Sequence, residues 1–228
     1  MPLKYLPKTL ALIPDGNRRW AKKNSFSILN GYDYGVKKFI SFSEWCIKYG
    51  IYNVTVWAFS SDNASRPKRE VNALFGIYER VAKDNEIIER LHKNRLRINI
   101  ISNPAIVPKK LVSMLGRVEE ETARYNKHVI NVLLGYGGRE DIQYALSKMK
   151  KAKSFSLSEF KNGLMSKTIP NIDLIIRTSG EMRLSGFIPW QATYSELYFS
   201  DKLWPDFTKK DFELALSEYS RRERRFGK

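Results

Sequence analysis

Short apolar runs alternate with longer amphipathic stretches along the 228 residues of the chain. The run TLALIP at 9–14 comes first, and apolar residues then follow at helical spacing over 31–50. The next run, at 52–60, is rich in β-branched and aromatic residues, which is typical of a strand. Strands separated by helices form mostly parallel sheets with helices on both faces. The pattern therefore predicts an α/β fold with a mostly parallel central sheet flanked by helices.

The alternation continues to the end of the chain without an internal repeat, a low-complexity segment or a linker. We therefore expect one domain over residues 1–228. Strands are predicted at 9–14, 52–60, 95–102, 128–136, 172–180 and 196–199. Helices are predicted at 31–50, 66–94, 108–126 and 137–151, in a short piece at 156–160 capped by Ser156 or Ser158, and at 208–225 with Thr208 as its cap.

Composition restricts the cellular location in which such a chain is expected. Hydrophobic residues make up 43% of it, which allows a sizeable core. No run approaches the roughly 18 apolar residues of a membrane span. The apolar region of a signal peptide is not expected near the start, because Pro7, Lys8 and Pro14 interrupt the segment. The single cysteine, Cys46, is expected to be a buried helical thiol. These features favour a cytoplasmic protein.

The formal net charge of +16 is compatible with nucleic acid, an anionic membrane surface or phosphorylated small molecules as partners. Most of the basic residues are interleaved with acids, as on a solvated surface. Nucleic acid is the least favoured partner, because no recognised binding motif is present. Five arginines differ from the rest, since they lie in short apolar motifs where an unpaired guanidinium is costly to bury: Arg18, Arg19, Arg66, Arg177 and Arg183.

Four polar motifs each follow a predicted strand: PDGNRRW, FSSDNASRP, GYGGR and IRTSGEMRLSG. Ligands of open α/β sheets bind beyond the carboxyl ends of the strands, so we expect the four motifs to meet at one rim. They contain carboxylates, hydroxyls, amides and arginines, but no histidine, no zinc-type Cys/His cluster and no Walker or GxGxxG loop. Guanidinium groups bind oxyanions, and a carboxylate can hold Mg²⁺ on phosphate oxygens. The motifs therefore indicate a site for multiply charged phosphates.

In order and spacing, five stretches resemble the motifs of the cis-prenyltransferases, the undecaprenyl diphosphate synthase family: IPDGNRRWAKK, WAFSSDNASRP, LLGYGGRED, DLIIRTSGEMRLSGFIPWQATYSELYFSDKLWPDF and RRERRFG. The resemblance implies a parallel sheet and helices that enclose an apolar tunnel, and it implies a homodimer. The implied reaction condenses isopentenyl diphosphate with an allylic prenyl diphosphate to a (Z)-polyprenyl diphosphate, as for a lipid carrier, with Mg²⁺ as cofactor. Peripheral contact with a membrane for product release is a further expectation.

The resemblance also implies roles for individual residues. Asp15 matches an essential aspartate near Mg²⁺, Asn63 a polar residue that assists proton removal, and Glu196 a second carboxylate beside the metal. Arg225 and Gly227 match a C-terminal motif that reaches the partner subunit's site. Substrate binding carries over to these positions: Gly16, Asn17, Arg18, Arg19, Trp20, Ser60, Ser61, Asp62, Arg66, Arg177, Arg183, Leu184, Ser185, Arg225 and Gly227, of which Arg177, Arg183 and Ser185 match the isopentenyl diphosphate site.

Several positions depart from the family pattern. Ile28 and Tyr32 stand where an arginine and a histidine near the allylic diphosphate are common, and Met182 stands where a histidine beside the metal is common. Because Ile28 is apolar, Arg18, Lys22 or Lys23 would have to bind the allylic phosphate instead. These departures keep open a second hypothesis, a non-catalytic partner subunit of a heteromeric cis-prenyltransferase.

The wall of the implied tunnel can be sought among large apolar residues. Leu133 and Leu134 precede GYGG where small residues are frequent, so larger side chains there could shorten the tunnel. On the helices at 31–50 and 66–94, the candidates are Phe39, Phe42, Leu74, Phe75 and Ile77.

Overall fold

A six-stranded parallel sheet forms the centre of the structure, a computed structural model that describes residues 5–149 and 156–222. The strands lie in the order β3-β4-β2-β1-β5-β6, and every neighbouring pair is parallel. The α/β class with a mostly parallel sheet is confirmed. The strand bounds are Thr9–Ile13 (β1), Asn53–Ser60 (β2), Leu96–Ser102 (β3), His128–Tyr136 (β4), Leu174–Arg177 (β5) and Glu196–Phe199 (β6).

Helices connect and cover the strands. Ser27, Ser156 and Thr208 cap three of them through their side-chain oxygens, and the last two form capping boxes with acidic residues three positions on. The predicted caps Ser156 and Thr208 are thus confirmed. The helix bounds are Asn17–Lys23 (α1), Ile28–Lys48 (α2), Lys68–Val81 (α3), Asn85–Lys93 (α4), Lys109–Thr122 (α5), Gly138–Met149 (α6), Leu157–Gly163 (α7) and Lys209–Arg221 (α8).

The helix predicted over 66–94 is wrong as a single element, because the chain breaks after α3 and starts again as α4. Asp84 leaves the helical conformation, and its carboxylate accepts the backbone N–H groups of Glu86 and Ile87 at 3.0 and 3.2 Å. Such a cap satisfies orphan donors and favours a new helix start over continuation. Apolar periodicity alone did not show the break, since it runs on through both helices.

The two faces of the sheet bury different halves of the core. Leu10 and Leu12 of β1 pack with Phe42 of α2 and with α8, whereas Ala11 and Ile13 face Phe187 and the opposite layer. This alternation is what the period of two residues in a strand requires. Cys46 lies in the first of these layers, 1% exposed, and burial raises the pKa of its thiol, as expected for a packing residue.

The strand order places the four polar motifs side by side. β4, β2, β1 and β5 are consecutive neighbours, so the loops after them leave the sheet at the same edge. Backbone hydrogen bonds join these loops, from Ser61 N–H to Tyr136 O at 3.0 Å and from Gly138 N–H to Gly186 O at 2.9 Å. The rim expected from the sequence therefore exists, and it is built on the four adjacent strands.

Candidate active site

The centre of the rim is a contact between the loops that follow β1 and β5. Arg177 donates from Nη2 to Asp15 Oδ2 at 3.0 Å and from Nη1 to Ser185 Oγ at 3.0 Å and to Arg183 O. The side chain of Arg177 is only 6% exposed, and its buried Nε has no hydrogen-bond partner. A nearly buried guanidinium with an unused donor at a cavity wall is suited to an oxyanion.

The turn after Asp15 needs glycine at position 16. Gly16 has φ of 104°, and an added Cβ would lie 2.9 Å from Leu203 Cδ2 and 3.1 Å from Ser179 Cβ. Its N–H donates to Asp15 Oδ1 at 2.7 Å, which orients the carboxylate. Asn17 then starts α1 and donates from Nδ2 to Pro14 O at 3.0 Å. The turn therefore fixes the direction of Asp15 before any ligand binds.

A second set of charges extends this site along the β5 loop. Arg19 donates to the carbonyl and hydroxyl of Ser179 at 3.2 and 2.6 Å and pairs with Glu181 at 3.2 Å. Arg183 pairs with the other oxygen of Glu181 and is largely exposed. Glu181 thus holds two predicted substrate-binding arginines near one another, one from α1 and one from the loop after β5.

A third cluster lies where the resemblance places the allylic diphosphate. The Tyr32 hydroxyl donates to Glu70 Oε1 at 2.8 Å and accepts from Arg66 Nη1 at 2.6 Å. Arg18 and Arg66 each lie 3.5 Å from the same Glu70 oxygen. Burial, reinforced by the hydrogen bond to Glu70, raises the pKa of Tyr32 well above its ordinary value although Arg66 opposes the shift. Tyr32 therefore stays a neutral phenol beside two guanidinium groups.

Asn63 lies at the end of β2, in a short 3₁₀ turn over Asp62–Ser65. Its Oδ1 accepts the N–H of Ser60 at 3.3 Å, and its own N–H donates to Ser60 Oγ at 3.2 Å. This reciprocal pair closes the turn and fixes the amide. Ser60, Asp62 and Asn63 all line the same cavity as Asp15.

These groups surround the mouth of one cavity of about 980 Å³. At the mouth its wall is polar, with Asp15, Asn63 and Arg177, and deeper in it is mostly apolar along β3, β4 and α2 to α5. A cavity of this size can enclose most of a ligand of several hundred Å³. The combination of a charged mouth and an apolar interior is suited to a molecule with a charged head and a long apolar tail.

Whether an apolar candidate lines the cavity depends on the face of the strand or helix on which it lies. Phe39 and Leu74 line the cavity, whereas Phe42, Phe75 and Ile77 pack into the core instead. Leu134 lines the cavity, but Leu133 lies on the other face of β4 and packs with the layer opposite. The expectation that either leucine could shorten the tunnel therefore holds only for Leu134, because adjacent strand residues face opposite sides.

Several predicted site residues do not line the cavity. Trp20 of α1 is buried, and its ring packs against Tyr34 of α2. Its Nε1 donates to Asp206 Oδ1 at 2.6 Å, so the side chain serves packing. Ser61 joins the β2 loop to β4 through its backbone, and Leu184 packs against the core layer around Phe187. The side chain of Arg183 is also off the wall, although its carbonyl accepts from the lining residue Arg177.

Glu196 does not lie at the rim within its own chain, and its role as a second carboxylate beside the metal stays a prediction. It is the first residue of β6 and is in register with Leu174, the first residue of β5, whereas the rim begins after Arg177 at the other end of that strand. Its carboxylate accepts from Arg222 at 2.8 Å. Met182 is exposed, and Arg225 and Gly227 lie outside the described residues.

Sequence reasoning missed the acidic residues that organise the arginines. Glu70 holds Arg18, Arg66 and Tyr32, and Glu181 holds Arg19 and Arg183. The spacing of Arg66 and Glu70 by four residues was a local signal for a pair. The contacts with Arg18 and Arg19 had no such signal, because they join α1 to α3 and to the loop after β5, which are distant in sequence. The structure also places Lys22 and Ile28, but not Lys23, on the wall of the mouth.

A parallel α/β sheet with arginines and carboxylates at the mouth of an apolar cavity is the arrangement expected of an enzyme that acts on diphosphates with apolar tails. Residues 13–227 match the family model described as "Putative undecaprenyl diphosphate synthase". The chain belongs to this family, the cis-prenyltransferases, and is a prenyltransferase. The family expected from the motifs is thus confirmed. Among the described residues, no helix is both long and apolar enough to span a bilayer.

Individual relatives agree over almost the whole chain. An isoprenyl transferase of Thermus thermophilus is 41% identical over 239 residues, which covers 98% of this chain and 89% of that protein. A tritrans,polycis-undecaprenyl-diphosphate synthase (geranylgeranyl-diphosphate specific) of Thermoplasma acidophilum is 39% identical, covering 97% and 89%. The crystal structure of lavandulyl diphosphate synthase from Lavandula x intermedia in complex with dimethylallyl diphosphate has a TM-score of 0.91 at 31% identity, covering 98% and 99%.

Proposed function

We propose that this chain extends an allylic prenyl diphosphate with isopentenyl diphosphate and forms a cis double bond in each cycle, to give a (Z)-polyprenyl diphosphate such as a lipid carrier needs. The observation that carries the proposal is a cavity with arginines and Asp15 at its mouth and apolar walls behind them. In each cycle the allylic carbon–oxygen bond breaks, a carbon–carbon bond to isopentenyl diphosphate forms, and diphosphate and one proton leave. Residues 1–228 act as one domain in this proposal.

The two substrates divide the mouth between them in this proposal. Isopentenyl diphosphate binds the group formed by Arg177, Arg183 and Ser185, where Arg177 offers an unused buried donor. The allylic diphosphate binds the turn at Gly16 to Arg19 together with Arg66, and its tail enters the apolar part of the cavity. Because guanidinium groups from both sets flank Asp15, the two diphosphates are brought close enough for the reacting carbons to meet.

We assign Mg²⁺ to Asp15 and the substrate diphosphate. Among residues 5–149 and 156–222 no group of three or more histidine, cysteine or acidic side chains could hold a metal by itself. Mg²⁺ is usually bound by one or two carboxylates together with waters and substrate phosphates, so the Asp15 carboxylate at the cavity mouth fits this ion. When bound, the ion neutralises charge on the departing diphosphate. Asp15, oriented by Gly16 N–H, would hold it.

Asn63 acts in this proposal by positioning rather than as a base. An amide is a poor base, so the proton passes to water or to a phosphate oxygen that Asn63 orients. The amide is fixed by Ser60, and both residues line the cavity. Loss of the Asn63 side chain should therefore lower kcat more than it changes either substrate KM.

We infer that the primer has a long tail. Ile28 lies on the wall of the mouth and adds no charge there, so the phosphate contributes less to primer binding than with an arginine in that place. Burial of the tail then contributes a larger share, at about 25 cal/mol per Å² of apolar surface. Dimethylallyl diphosphate, the ligand of the lavender structure, should be a poor primer for this chain.

We further propose a cytoplasmic homodimer that touches the membrane peripherally. α6 exposes Ile142 and Leu146, which lie one turn apart on the same face of the helix and which a second copy could cover. Near the cavity mouth, Phe26 and Leu29 are exposed and Lys22 lies beside them in sequence, a combination that suits an anionic lipid surface into which product is released. Sedimentation of the purified chain tests the dimer, and binding to vesicles with and without anionic lipid tests the membrane contact.

Incubation of the purified chain alone with an allylic diphosphate, isopentenyl diphosphate and Mg²⁺ tests the enzymatic proposal. We expect chains of (Z)-polyprenyl diphosphate, identified by mass and by the geometry of the new double bonds. A folded chain that turns over none of a panel of primers, but does so after a second family member is added, would instead be a partner subunit.

A further inference from the structure

The far end of the cavity carries an ion pair that the proposed reaction does not use. Glu44 on α2 and Arg90 on α4 both line the cavity, and Arg90 donates from both Nε and Nη2 to Glu44 Oε1, with 3.2 Å for the Nε contact. Their side chains are 40% and 38% exposed. The lining residues on the same and neighbouring elements are mostly apolar, apart from Ser43 and Asn94: Ile40, Ile87, Leu91, Leu96, Val118 and Ile130. Both side chains therefore line the cavity and also contact solvent.

The position of the pair follows from the chain direction. α2 begins beside the mouth at Ile28 and ends at Lys48, shortly before β2 starts at the opposite edge of the sheet. Arg90 is in the last turn of α4, shortly before β3 starts at that same edge. Between this edge and the rim, the seven residues of β3 span roughly 20 Å at about 3.3 Å per residue. The pair thus lies at the opposite end of the cavity from the diphosphate groups.

The pair is also a polar link between two helices. In the described ranges, the polar contact between α2 and α4 is the one that Glu44 and Arg90 make. The helix break at Asp84 separates α4 from α3 and lets it cover the end of β3 and α5. Half-exposed ion pairs are weak and are screened by salt, so this link can open without unfolding either helix.

We propose that the Glu44–Arg90 pair is a gate at a second opening of the cavity and that it limits the length of the prenyl product. The proposal rests on the proposed function, since the occupant is the apolar tail of the growing chain. A tail that reaches the closed pair must displace it and cover charged side chains with apolar surface, which is unfavourable, so elongation slows there. When the gate is open, the tail passes out and elongation continues.

Product mass distributions from matched variants test the gate. Glu44→Ala and Arg90→Ala should each shift the products toward longer chains, and the charge-swapped double variant E44R/R90E should return them toward the wild-type length. Asp33→Ala and Arg80→Ala are the controls, because this exposed pair also joins α2 to another helix but does not line the cavity. Raising the salt concentration should lengthen the wild-type products and leave those of Arg90→Ala unchanged.

A second measurement does not depend on turnover. Without metal, prenyl diphosphates of increasing tail length are titrated against wild type and Arg90→Ala. Tails longer than the cavity should bind the variant more tightly, whereas short tails should bind both proteins equally. Equal binding of long tails, or unchanged product lengths in folded and active variants, would overturn the gate. Absence of any product from the wild type would contradict the proposed function instead, and the binding series would still decide on the gate.

Discussion

Arg177 and Asp15 face each other across neighbouring parallel strands, with Arg177 Nη2 3.0 Å from Asp15 Oδ2. Arg177 is in register with Ile13, so the contact joins the last residue of β5 to the turn that follows β1. Asp15 is about a third exposed, whereas Arg177 is almost buried. The Asp15 carboxylate can therefore contact a ligand while it also neutralises the nearly buried guanidinium of Arg177. The same pair offers a metal ligand and an anion-binding group at one point.

Replacement of Asp15 by alanine should abolish turnover. The change removes the carboxylate that we assign to Mg²⁺, and the loss of such a group lowers kcat by roughly a hundredfold or more. It also leaves Arg177 without its ionic partner, at a cost in stability of about 1–3 kcal/mol. Thermal unfolding must therefore accompany the kinetics. A folded Asp15→Ala protein that keeps more than about a tenth of wild-type kcat would contradict the assignment.

Arg183→Ala should raise the KM for isopentenyl diphosphate about tenfold and leave the KM for the primer nearly unchanged, since a hydrogen bond to a charged group contributes about 1.5–3 kcal/mol. Arg177→Ala should also raise the KM for isopentenyl diphosphate, but loss of its buried ion pair with Asp15 should make the protein less stable as well. Arg183 is exposed and gives the cleaner test, with Arg124→Ala as a control on another exposed arginine. A rise in primer KM instead would show that the two substrate sites are reversed.

Ile28→Arg should lower the primer KM, most of all for primers with short tails, because the new cation strengthens the phosphate contact that those primers depend on. Steady-state KM values for two primers of different tail length provide the measurement. Lys22 lines the mouth as well, whereas Lys23 does not, so the pair Lys22→Ala and Lys23→Ala shows whether a lysine already holds the phosphate. An unchanged KM in folded Ile28→Arg, together with a large rise in Lys22→Ala, would assign the phosphate to Lys22.

Tyr32→His should make primer binding depend on pH. In the wild type, burial and Glu70 raise the pKa of Tyr32, so the phenol stays neutral as the pH rises through the working range and contributes no titration. A histidine there becomes a cation as the pH falls through roughly 6.5. The primer KM of the variant should therefore fall relative to wild type below that pH and match or exceed it above. Parallel pH profiles for the two proteins would refute this.

Gly35→Ala should destabilise the protein by about 1–3 kcal/mol, because the new methyl group would overlap Asn17 Oδ1 and approach Trp204. Gly76 is the matched control, since it also lies in a helix but an added Cβ meets nothing within 4 Å. Gly76→Ala should stabilise the protein by roughly 0.5–1 kcal/mol through helix propensity. Chemical denaturation of both variants gives the comparison, and equal stability changes would show that Gly35 is not required by contact with α1.

Local chemistry explains the features that the sequence predicted well. Each strand was visible as a β-branched or apolar run, and the caps Ser156 and Thr208 were visible from the acid three residues on. The rim was predictable because parallel strands have their carboxyl ends on one edge, whatever their order. The break at Asp84 was missed because an apolar period continued across it, although a local capping residue was present.

By itself, the sequence determined the α/β class, the family and the residue types that meet at the rim, since motifs and periodicity are local properties. Only the tertiary structure decided that Glu196 begins its strand away from the rim, that Leu134 and not Leu133 faces the cavity, and that Glu70 and Glu181 organise the arginines. These facts depend on strand register and on contacts between distant segments. Such contacts are fixed by packing of the whole chain, because no short stretch contains both partners.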